Sequence, residues 1–439
     1  MKKDLHQKMY SKKMKLPSAI PYFIYHVVGL SPLLGGKYHP QVEVKDKVIK
    51  KGPCFYIFNH QSRRDHTFIE RAAWPRRLSI VCEYNEFFRS HLHFALTTNQ
   101  IVPKKVFIND IWSTKLMHSV IKQGGCLAFS PEGTSSIFGN NQPIVVGTGK
   151  FLKHYKLPVY CADIKGSYLT NNKIDERDRF GKVFLKQYLL FSPEDLERLT
   201  PEEIEDKINE TFRHDDYEWN KTMRIKYDSK GHICDNLETI CYQCPKCKTL
   251  FSMKAEGDKI WCEKCGNGAH MNDYYDFIPF DESCVIPESP VKWMEMERVD
   301  IIRKIRADEN FSFTDHVKIG DLPKDHLIKN HGFSEECGEG EFTVDHTGVH
   351  YKGTRHGEEW SFGFDYKTLY TFSIPVDLKS FALHPDQEFY SFIPEHNTTT
   401  YMMLLAQEMH RLHVNTWKAF PWDSWMYEPE KEEETKTEQ

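Results

Sequence analysis

A histidine and an aspartate five positions apart, His60 and Asp65, stand in the polar segment FNHQSRRDHTF at residues 58–68. A histidine has a pKa near neutrality and can accept a proton from an alcohol, and a carboxylate on its second ring nitrogen fixes the tautomer and stabilises the imidazolium. On one regular helix, side chains five residues apart point about 140° away from each other, so the pair can meet only across a turn. A turn between them would therefore create an oriented histidine base.

The flanking residues predict such a turn. The unbroken apolar run at 54–58 is typical of a buried strand, and residues 66–74 have a helical pattern. We expect Ser62 to cap the helix, with Asp65 in its first turn and His60 in the preceding loop. The alternative is that Ser62 and Asp65 only cap the helix and that His60 is an ordinary loop residue.

A second polar loop follows another predicted strand. The apolar residues 126–129 end at Ser130 and Pro131, and Glu132, Gly133 and several hydroxyl residues come next. In open α/β sheets, ligands bind beyond the carboxyl ends of the strands. The two polar loops can therefore face one crevice.

Four segments in this order resemble the sequence blocks of the glycerolipid acyltransferases, the family typified by 1-acylglycerol-3-phosphate acyltransferase. They are NHQSRRD at 59–65, NQIVPKK at 99–105, FSPEGTSS at 129–136 and KLPVYCADI at 156–164, and the resemblance covers roughly residues 15–215. It implies an α/β acyltransferase domain, an acyl-CoA or acyl-carrier protein donor, and a glycerolipid-type hydroxyl as acceptor.

The resemblance also implies roles for individual residues. His60 would be the general base that removes the acceptor's hydroxyl proton, a contribution of typically about 10²–10⁴ in rate, and Asp65 would orient it. A covalent route through Ser62, Ser130 or a cysteine is the alternative, although no G-x-S-x-G elbow is present. The substrate-binding residues that the blocks imply are Asn59, Ser62, Lys104, Lys105, Glu132, Gly133 and Thr134.

Two positions depart from the family pattern. Lys105 and Ser135 stand where the family usually has arginines that resemble a clamp for the acceptor's phosphate. Lysine lacks the guanidinium fork and serine has no charge, so bidentate phosphate recognition is weakened. The acceptor therefore need not be lysophosphatidate, and Arg63, Arg64 and Lys104 are alternative sources of positive charge.

Strand and helix patterns alternate through the first half of the chain. Strands are predicted near 78–83, 126–130, 158–164 and 182–189. A helix at 110–123 is expected to begin at Asp110. Another should begin at Thr200 and Pro201, because threonine caps helices and proline fits the first turn. Together these elements predict one mixed sheet.

Two Cys-x-x-Cys knuckles, CPKC at 244–247 and CEKC at 262–265, are separated by 14 residues. This spacing is typical of a zinc ribbon, whereas a lone pair is often a redox motif and Cys241 is a competing ligand. Four thiolates leave the metal no open position, so the zinc would be structural and would fold a module with little core of its own. The predicted ligands are Cys244, Cys247, Cys262 and Cys265.

The N-terminal residues predict contact with a membrane surface. Residues 1–15 carry six lysines against one aspartate, and residues 16–36 have no formal charge but contain several prolines and glycines. Such interruptions make a spanning helix poor, so we expect residues 1–36 to lie in the bilayer interface. A helix packed on the catalytic domain is the alternative. No small-x-small site is obvious, which disfavours a cleaved signal peptide.

The length of 439 residues has room for two or three domains, and the net charge of −5 gives no overall attraction to nucleic acid.

The predicted fold is an α/β acyltransferase domain with a mixed sheet, then a zinc ribbon and a smaller β-rich C-terminal domain. Short aromatic strands followed by a helix at 398–417 weakly resemble a pleckstrin-homology-like barrel, with an unrelated small α+β domain as the alternative. The predicted regions are an interfacial segment at 1–36, the acyltransferase domain at 37–225, the ribbon at 238–275, a helical linker at 289–311, the β-rich domain at 335–420 and a disordered tail at 428–439.

The resulting hypothesis is an acyltransferase that is cytoplasmic and peripheral on the inner face of the membrane. Thiolate zinc and eight other cysteines without an evident disulfide framework suit that reducing compartment. The expected partners are membrane lipids and the acyl donor, with no nucleic acid. One alternative is a catalytically weak adapter that binds protein or nucleic acid through the ribbon and the C-terminal domain; another is a lipid or thioester hydrolase. The His60 and Asp65 pair argues against the adapter, and the altered phosphate positions argue for it.

Overall fold

A computed structural model describes residues 4–24, 38–329 and 331–428 of the chain. Within these ranges, three sheets follow one another along the sequence. The first is a seven-stranded mixed sheet with helices, so the predicted α/β domain is confirmed at this level. The second and third sheets are antiparallel and occupy the C-terminal half.

The strand order of the first sheet is β1-β7-β6-β2-β5-β3-β4, and its neighbouring strands are parallel except for the antiparallel pair β6 and β7. The central strand β2 is buried along its whole length, as its apolar run predicts. The strands are β1 Gln41–Val44, β2 Cys54–Phe58, β3 Leu78–Glu83, β4 Val102–Lys104, β5 Cys126–Phe129, β6 Val159–Lys165 and β7 Phe184–Phe191.

Two of the predicted helix starts are confirmed. Asp110 caps the fifth helix by accepting from the Ser113 backbone, and Thr200 forms a capping box with Glu203 ahead of Pro201. The helices of this half are α1 Leu5–Tyr10, α2 Ala19–Phe23, α3 Asp65–Ala73, α4 Ser90–Thr98, α5 Ile111–Lys122, α6 Thr148–Tyr155, α7 Ser167–Thr170, α8 Pro193–Arg198, α9 Pro201–Thr211 and α10 Asp216–Met223, with a 3₁₀ turn at Tyr84–Phe88.

The two cysteine knuckles lie on either side of a hairpin of the second sheet. Its order is β11-β10-β9-β8, and the hairpin of β8 and β9 joins the first knuckle to the second. A 3₁₀ turn at Leu237–Thr239 comes before it. The strands are β8 Met253–Glu256, β9 Lys259–Cys262, β10 Gly268–Met271 and β11 Phe277–Pro279.

The third sheet has six strands in the order β15-β14-β13-β12-β17-β16. It begins with β12, which precedes the predicted start at 335 and pairs with both β13 and β17. Helix α11 Pro290–Ala307 precedes the sheet and lies within the predicted helical stretch, and helix α12 Thr399–His413 follows it. The remaining elements are β12 Ser312–Asp321, β13 Glu335–Asp345, β14 Gly348–Arg355, β15 Glu358–Phe364, β16 Phe381–Leu383, β17 Tyr390–Pro394 and 3₁₀ turns at Pro385–Gln387 and Pro421–Tyr427.

One hydrophobic cluster connects loops and helices of the α/β domain to the second and third sheets. It contains Phe138 and Tyr168 from the first domain, Met253 from the second sheet, and Phe342 and Leu404 from the third sheet and its helix. Burial of these apolar side chains against one another stabilises the contact between the domains. The C-terminal modules therefore pack directly against loops of the α/β domain.

Where the structure describes them, the N-terminal residues pack on the α/β domain and also contact the segment after β12. Met9, Met14 and Tyr22 are buried, and the backbone N–H of Leu5 donates to the Lys324 carbonyl at 2.8 Å. For residues 4–24 this corresponds to the alternative of a helix packed on the catalytic domain. Residues 1–3 and 25–36 of the predicted interfacial segment lie outside the described residues. The predicted disordered tail also lies outside them, apart from residue 428. No helix in the described part of the chain combines the length and apolar character needed to cross a bilayer.

Candidate active site

The two polar loops meet at the carboxyl ends of neighbouring parallel strands, β2 and β5. The backbone N–H of His60 donates to Oε2 of Glu132 at 2.7 Å, and the N–H of Ser136 donates to the His60 carbonyl at 2.8 Å. These two hydrogen bonds fix one loop against the other. The expectation that the two loops lie together is confirmed, and a shared substrate crevice stays a prediction.

His60 and Asp65 contact each other across the turn, as predicted. Nδ1 of His60 lies 2.8 Å from Oδ2 of Asp65, and the His60 side chain is 31% exposed whereas that of Asp65 is fully buried. An ionised carboxylate only accepts hydrogen bonds, so in a neutral imidazole beside it Nδ1 is the donor and Nε2 has the lone pair. Among the described residues no hydrogen bond to Nε2 is recorded. The arrangement can therefore accept a proton from a bound hydroxyl group.

The carboxylate of Asp65 has further donors, which satisfy its burial. Oδ2 accepts from the backbone N–H groups of Gln61 at 2.6 Å and Ser62 at 2.9 Å. Oδ1 accepts from the hydroxyl groups of Ser167 at 2.6 Å and Ser62 at 3.1 Å. These contacts fix the orientation of the carboxylate toward His60.

The predicted capping role of Ser62 is wrong. Helix α3 begins at Asp65, and its N-cap residue is Arg64, which makes no side-chain capping bond. The Ser62 hydroxyl is buried and donates to Asp65, and its Oγ lies 2.7 Å from Oγ of Ser167. The Asp65 carboxylate points back into the loop, where two backbone N–H groups and the Ser62 hydroxyl donate to it, and the Ser167 hydroxyl donates to it from α7.

Ser167 is a site residue that the sequence reasoning missed. It starts the short helix α7 immediately after β6, which is parallel to β2 and lies on its other side. The rule that polar residues after parallel strands converge applies equally to this third strand end. The segment KGSYLT at 165–170 therefore carried the signal.

Glu132 holds the loop that contains His60. It is buried, and its carboxylate accepts from the His60 N–H and, at 3.4 Å, from the Gln142 N–H. Burial raises the pKa of Glu132 to about 8, against the lowering effect of these two N–H groups. Its implied contact with the acceptor stays a prediction.

Gly133 occupies a position that requires glycine. Its φ is +77°, and a Cβ there would lie 2.9 Å from Cγ2 of Val145. The next residue, Thr134, accepts a hydrogen bond from Nζ of Lys173 at 2.5 Å, and the same Nζ donates to the Ile374 carbonyl at 2.5 Å. The loop is thereby connected to the C-terminal module. Burial lowers the pKa of Lys173 to about 8, an effect opposed by Glu83 and Glu86.

The side-chain amide of Asn59 makes two hydrogen bonds to the backbone of the first sheet. Its Nδ2 donates to the Ile164 carbonyl at 2.8 Å, and its Oδ1 accepts from the Ile164 N–H at 2.7 Å. The side chain thus extends the pairing of β2 with β6 by one residue. Substrate binding by Asn59, like that by Ser62, stays a prediction.

Three basic residues of the blocks, Lys105, Arg63 and Arg64, bond to other groups of the protein. Nζ of Lys105 donates to the Tyr10 hydroxyl at 2.6 Å and to the Gln387 carbonyl, so this lysine connects α1 to the C-terminal module.

Lys104 ends β4, where burial lowers its pKa. Arg63 donates to Asn171 and to the Glu176 carbonyl, Arg64 pairs with Asp178 at 3.0 Å, and Ser135 is buried.

The four knuckle cysteines form one group. Sγ of Cys244 lies 3.6 Å from Sγ of Cys265, and Sγ of Cys247 lies 3.8 Å from Sγ of Cys262. All four sulfur atoms lie within 4.8 Å of one another. Zinc with four sulfur ligands at about 2.3 Å has sulfur atoms roughly 3.8 Å apart, so the group can hold a zinc ion. Cys241 is buried in the core and does not belong to this group.

No protein-family profile and no curated protein matches the chain. Among solved structures, the chain is similar to the 1-acyl-sn-glycerophosphate (LPA) acyltransferase PlsC from Thermotoga maritima, at 19% identity and a TM-score of 0.34. The similarity covers 40% of this chain and 70% of that chain. Similarity at this level does not assign the chain to a family.

Proposed function

We propose that the protein is an O-acyltransferase that moves a fatty acyl group from acyl-CoA or acyl-carrier protein to a hydroxyl of a glycerolipid or lysophospholipid. The observation that carries the proposal is the 2.8 Å contact between Nδ1 of His60 and Oδ2 of Asp65, beside a partly exposed imidazole. A base of this kind is what an alcohol needs in order to attack a thioester.

The acceptor hydroxyl gives its proton to Nε2 of His60 while its oxygen forms a bond to the thioester carbonyl carbon. Asp65 stabilises the imidazolium that results. The carbon–sulfur bond then breaks, and His60 returns the proton to the departing sulfur, which leaves as the free thiol. The products are the ester and the free thiol, and no covalent intermediate with the protein is required.

Zinc is the structural cofactor in this proposal. Cys244, Cys247, Cys262 and Cys265 hold it, and a shell of four thiolates leaves no place for a water molecule or a substrate. The metal therefore supplies folding free energy to the second sheet. The chemistry at His60 is supplied by the α/β domain.

An exposed apolar patch supports action at a membrane surface. Ile20, Phe23, Ile24 and Trp74 expose between 46% and 71% of their surface, and the rings of Phe23 and Trp74 lie 6.3 Å apart. Arg77 follows Trp74 closely and is exposed. Aromatic side chains next to basic ones suit the headgroup region of an anionic bilayer. The proposal therefore puts the protein on the inner face of the membrane, in the cytoplasm.

The test is an acyl-transfer assay of the full chain with palmitoyl-CoA and palmitoyl-acyl-carrier protein against a panel of lysophospholipids in mixed micelles. Mass spectrometry measures the ester, the free fatty acid and the free thiol. Wild type should form the ester, His60→Ala should not, and His154→Ala is the matched control because His154 is exposed on α6.

Two outcomes would contradict the proposal in different ways. Free fatty acid without ester, again dependent on His60, would identify a thioester or lipid hydrolase. No product with any donor and acceptor pair from a folded, zinc-loaded protein would favour the adapter.

A further inference from the structure

We propose a second metal site, formed by Asp321, Cys337 and His356 in the third sheet, that binds Zn²⁺ with an open coordination position. One ligand atom from each residue lies within 4.8 Å of the others. The three residues come from the end of β12, from β13 and from the turn after β14. The site is separate from the four-cysteine group and from His60.

A β-bulge directs Cys337 toward this position. Ile319 pairs with Gly338 and Gly320 pairs with Glu336, so Cys337 is the extra residue between them. A bulged residue has no partner in the ladder, and bulges commonly redirect a side chain at a functional position. The irregularity in β13 therefore coincides with the one cysteine of the third sheet.

The turn between β14 and β15 brings His356 over the bulge. His356 and Gly357 form a two-residue connection with φ values of 51° and 82°, the conformation for which Asn-Gly is the usual sequence. The His356 N–H donates to the Cys337 carbonyl at 2.6 Å, and Nε2 lies 2.9 Å from Oδ2 of Asp321. One backbone contact and one side-chain contact thus fix the imidazole between the other two residues.

The donor set suits zinc. Zn²⁺ takes sulfur, imidazole nitrogen and carboxylate oxygen as ligands, and three protein ligands leave its fourth position for water or for a group from outside. The His356 and Asp321 side chains are 62% and 24% exposed, so solvent reaches the site. We therefore expect this zinc to exchange more readily than the zinc of the closed four-cysteine group.

The 2.9 Å contact between His356 and Asp321 could instead be an ordinary surface ion pair without a metal. His326 provides a matched comparison. It bonds to two carboxylates in the same module, Asp325 at 2.7 Å and Glu335 at 2.8 Å, and among the described residues it does not belong to a group of possible metal ligands that includes a cysteine. Cys284 is a half-buried cysteine outside both groups and is the control for thiol removal.

The first measurement is the zinc content of the full chain after equilibrium dialysis against zinc sulfate. Wild type should hold two zinc ions per chain, and Asp321→Asn, Cys337→Ser and His356→Asn should each hold one. His326→Asn and Cys284→Ser should hold two. His356→Asn is the most informative variant because asparagine suits the turn and so keeps the sheet folded.

The second measurement is the rate at which iodoacetamide alkylates Cys337, followed by peptide mass spectrometry. Bound zinc should slow the reaction at least fivefold in wild type, and it should have no effect in His356→Asn. Zinc content of the three site variants equal to that of wild type, or equal protection of Cys337 by zinc in His356→Asn and wild type, would each overturn the proposal.

Discussion

The Asp65 carboxylate lies 2.8 Å from Nδ1 of His60 because Asp65 starts helix α3 and points back across the turn that precedes it. The same oxygen accepts from two backbone N–H groups of that turn. The backbone therefore sets the position of the carboxylate, and the carboxylate sets the tautomer of the histidine.

His60→Ala should lower the acyl-transfer rate by about 10²–10⁴, because it removes the base. The side chain is partly exposed, so no core cavity opens and the midpoint of thermal unfolding should stay close to that of wild type. Initial rates and a thermal unfolding curve measured on the same sample check both parts. Full activity in a pure preparation would contradict the mechanism.

Asp65→Asn should lower the rate nearly as far. The amide nitrogen cannot accept the Nδ1 proton, and it disturbs the backbone N–H groups that now donate to Oδ2. The pH profile of kcat is the decisive measurement. Activity equal to wild type across the profile would show that the contact does not orient the base.

Ser167→Ala should lower kcat by about tenfold with little change in KM. Ser167 donates to Oδ1 of Asp65 at 2.6 Å, and loss of a hydrogen bond to a charged group costs about 1.5–3 kcal/mol. Ser229→Ala is a matched control, since Ser229 donates to Asp273 at 2.7 Å in a contact that does not involve His60. A larger effect of the control on kcat would contradict a positioning role for Ser167.

The raised pKa of Glu132 predicts that the free energy of unfolding depends on pH. The unfolded chain releases this proton above about pH 4.5, whereas the buried carboxyl keeps it until about pH 8. The folded state therefore binds more protons in this window, and its contribution to the free energy of unfolding falls as pH rises, by at most about 1.4 kcal/mol per pH unit. Chemical denaturation of wild type and Glu132→Gln between pH 5 and 8 measures the difference, and parallel curves would contradict it.

The features set by local residues could be predicted from the sequence. The buried strand at Cys54–Phe58, the capping residues Asp110 and Thr200, and the contact of His60 with Asp65 depend on nearby residue types. The misassigned cap at Ser62 is also local. It failed because the helix begins only at Asp65, so the Ser62 hydroxyl lies in the loop, where it accepts from the Arg64 N–H and donates to Asp65.

The contacts between distant parts of the chain could not be predicted. Lys105 bonds to Gln387, which is 282 residues away, and Lys173 bonds to Ile374, which is 201 residues away. A lysine in a sequence normally indicates a solvated side chain, so nothing local indicates that these two are buried. Only the packing of the third sheet on the α/β domain explains their positions.

Membrane binding should depend on the exposed patch around Trp74. We expect the triple variant Ile20→Ser, Phe23→Ser, Trp74→Ser to lose most of its flotation with anionic phospholipid vesicles, because the apolar side chains available to the bilayer are removed. Ile393→Ser, an exposed position on β17, is the control. Equal flotation of the triple variant and wild type would contradict the proposed membrane surface.

Replacement of Cys262 and Cys265 by serine should remove one zinc ion per chain and lower the thermal stability of the protein. Structural zinc contributes about 10–16 kcal/mol of binding free energy in small modules, and the second sheet depends on it because four short strands form little core. The module contacts the α/β domain through the Tyr275 hydroxyl, which donates to the Leu169 carbonyl at 2.7 Å.

The acyl-transfer rate of this double variant should fall much less than that of His60→Ala, because the zinc shell is closed and contacts neither His60 nor Asp65. Elemental analysis, thermal unfolding and initial rates on one preparation check the three parts, with Cys284→Ser as the control for loss of a thiol outside the group. Leu169 is two residues from Ser167, which donates to Asp65, so a route from the second sheet to the site exists. A rate as low as that of His60→Ala, in a protein whose α/β domain remains folded, would mean that the second sheet helps to position the catalytic pair.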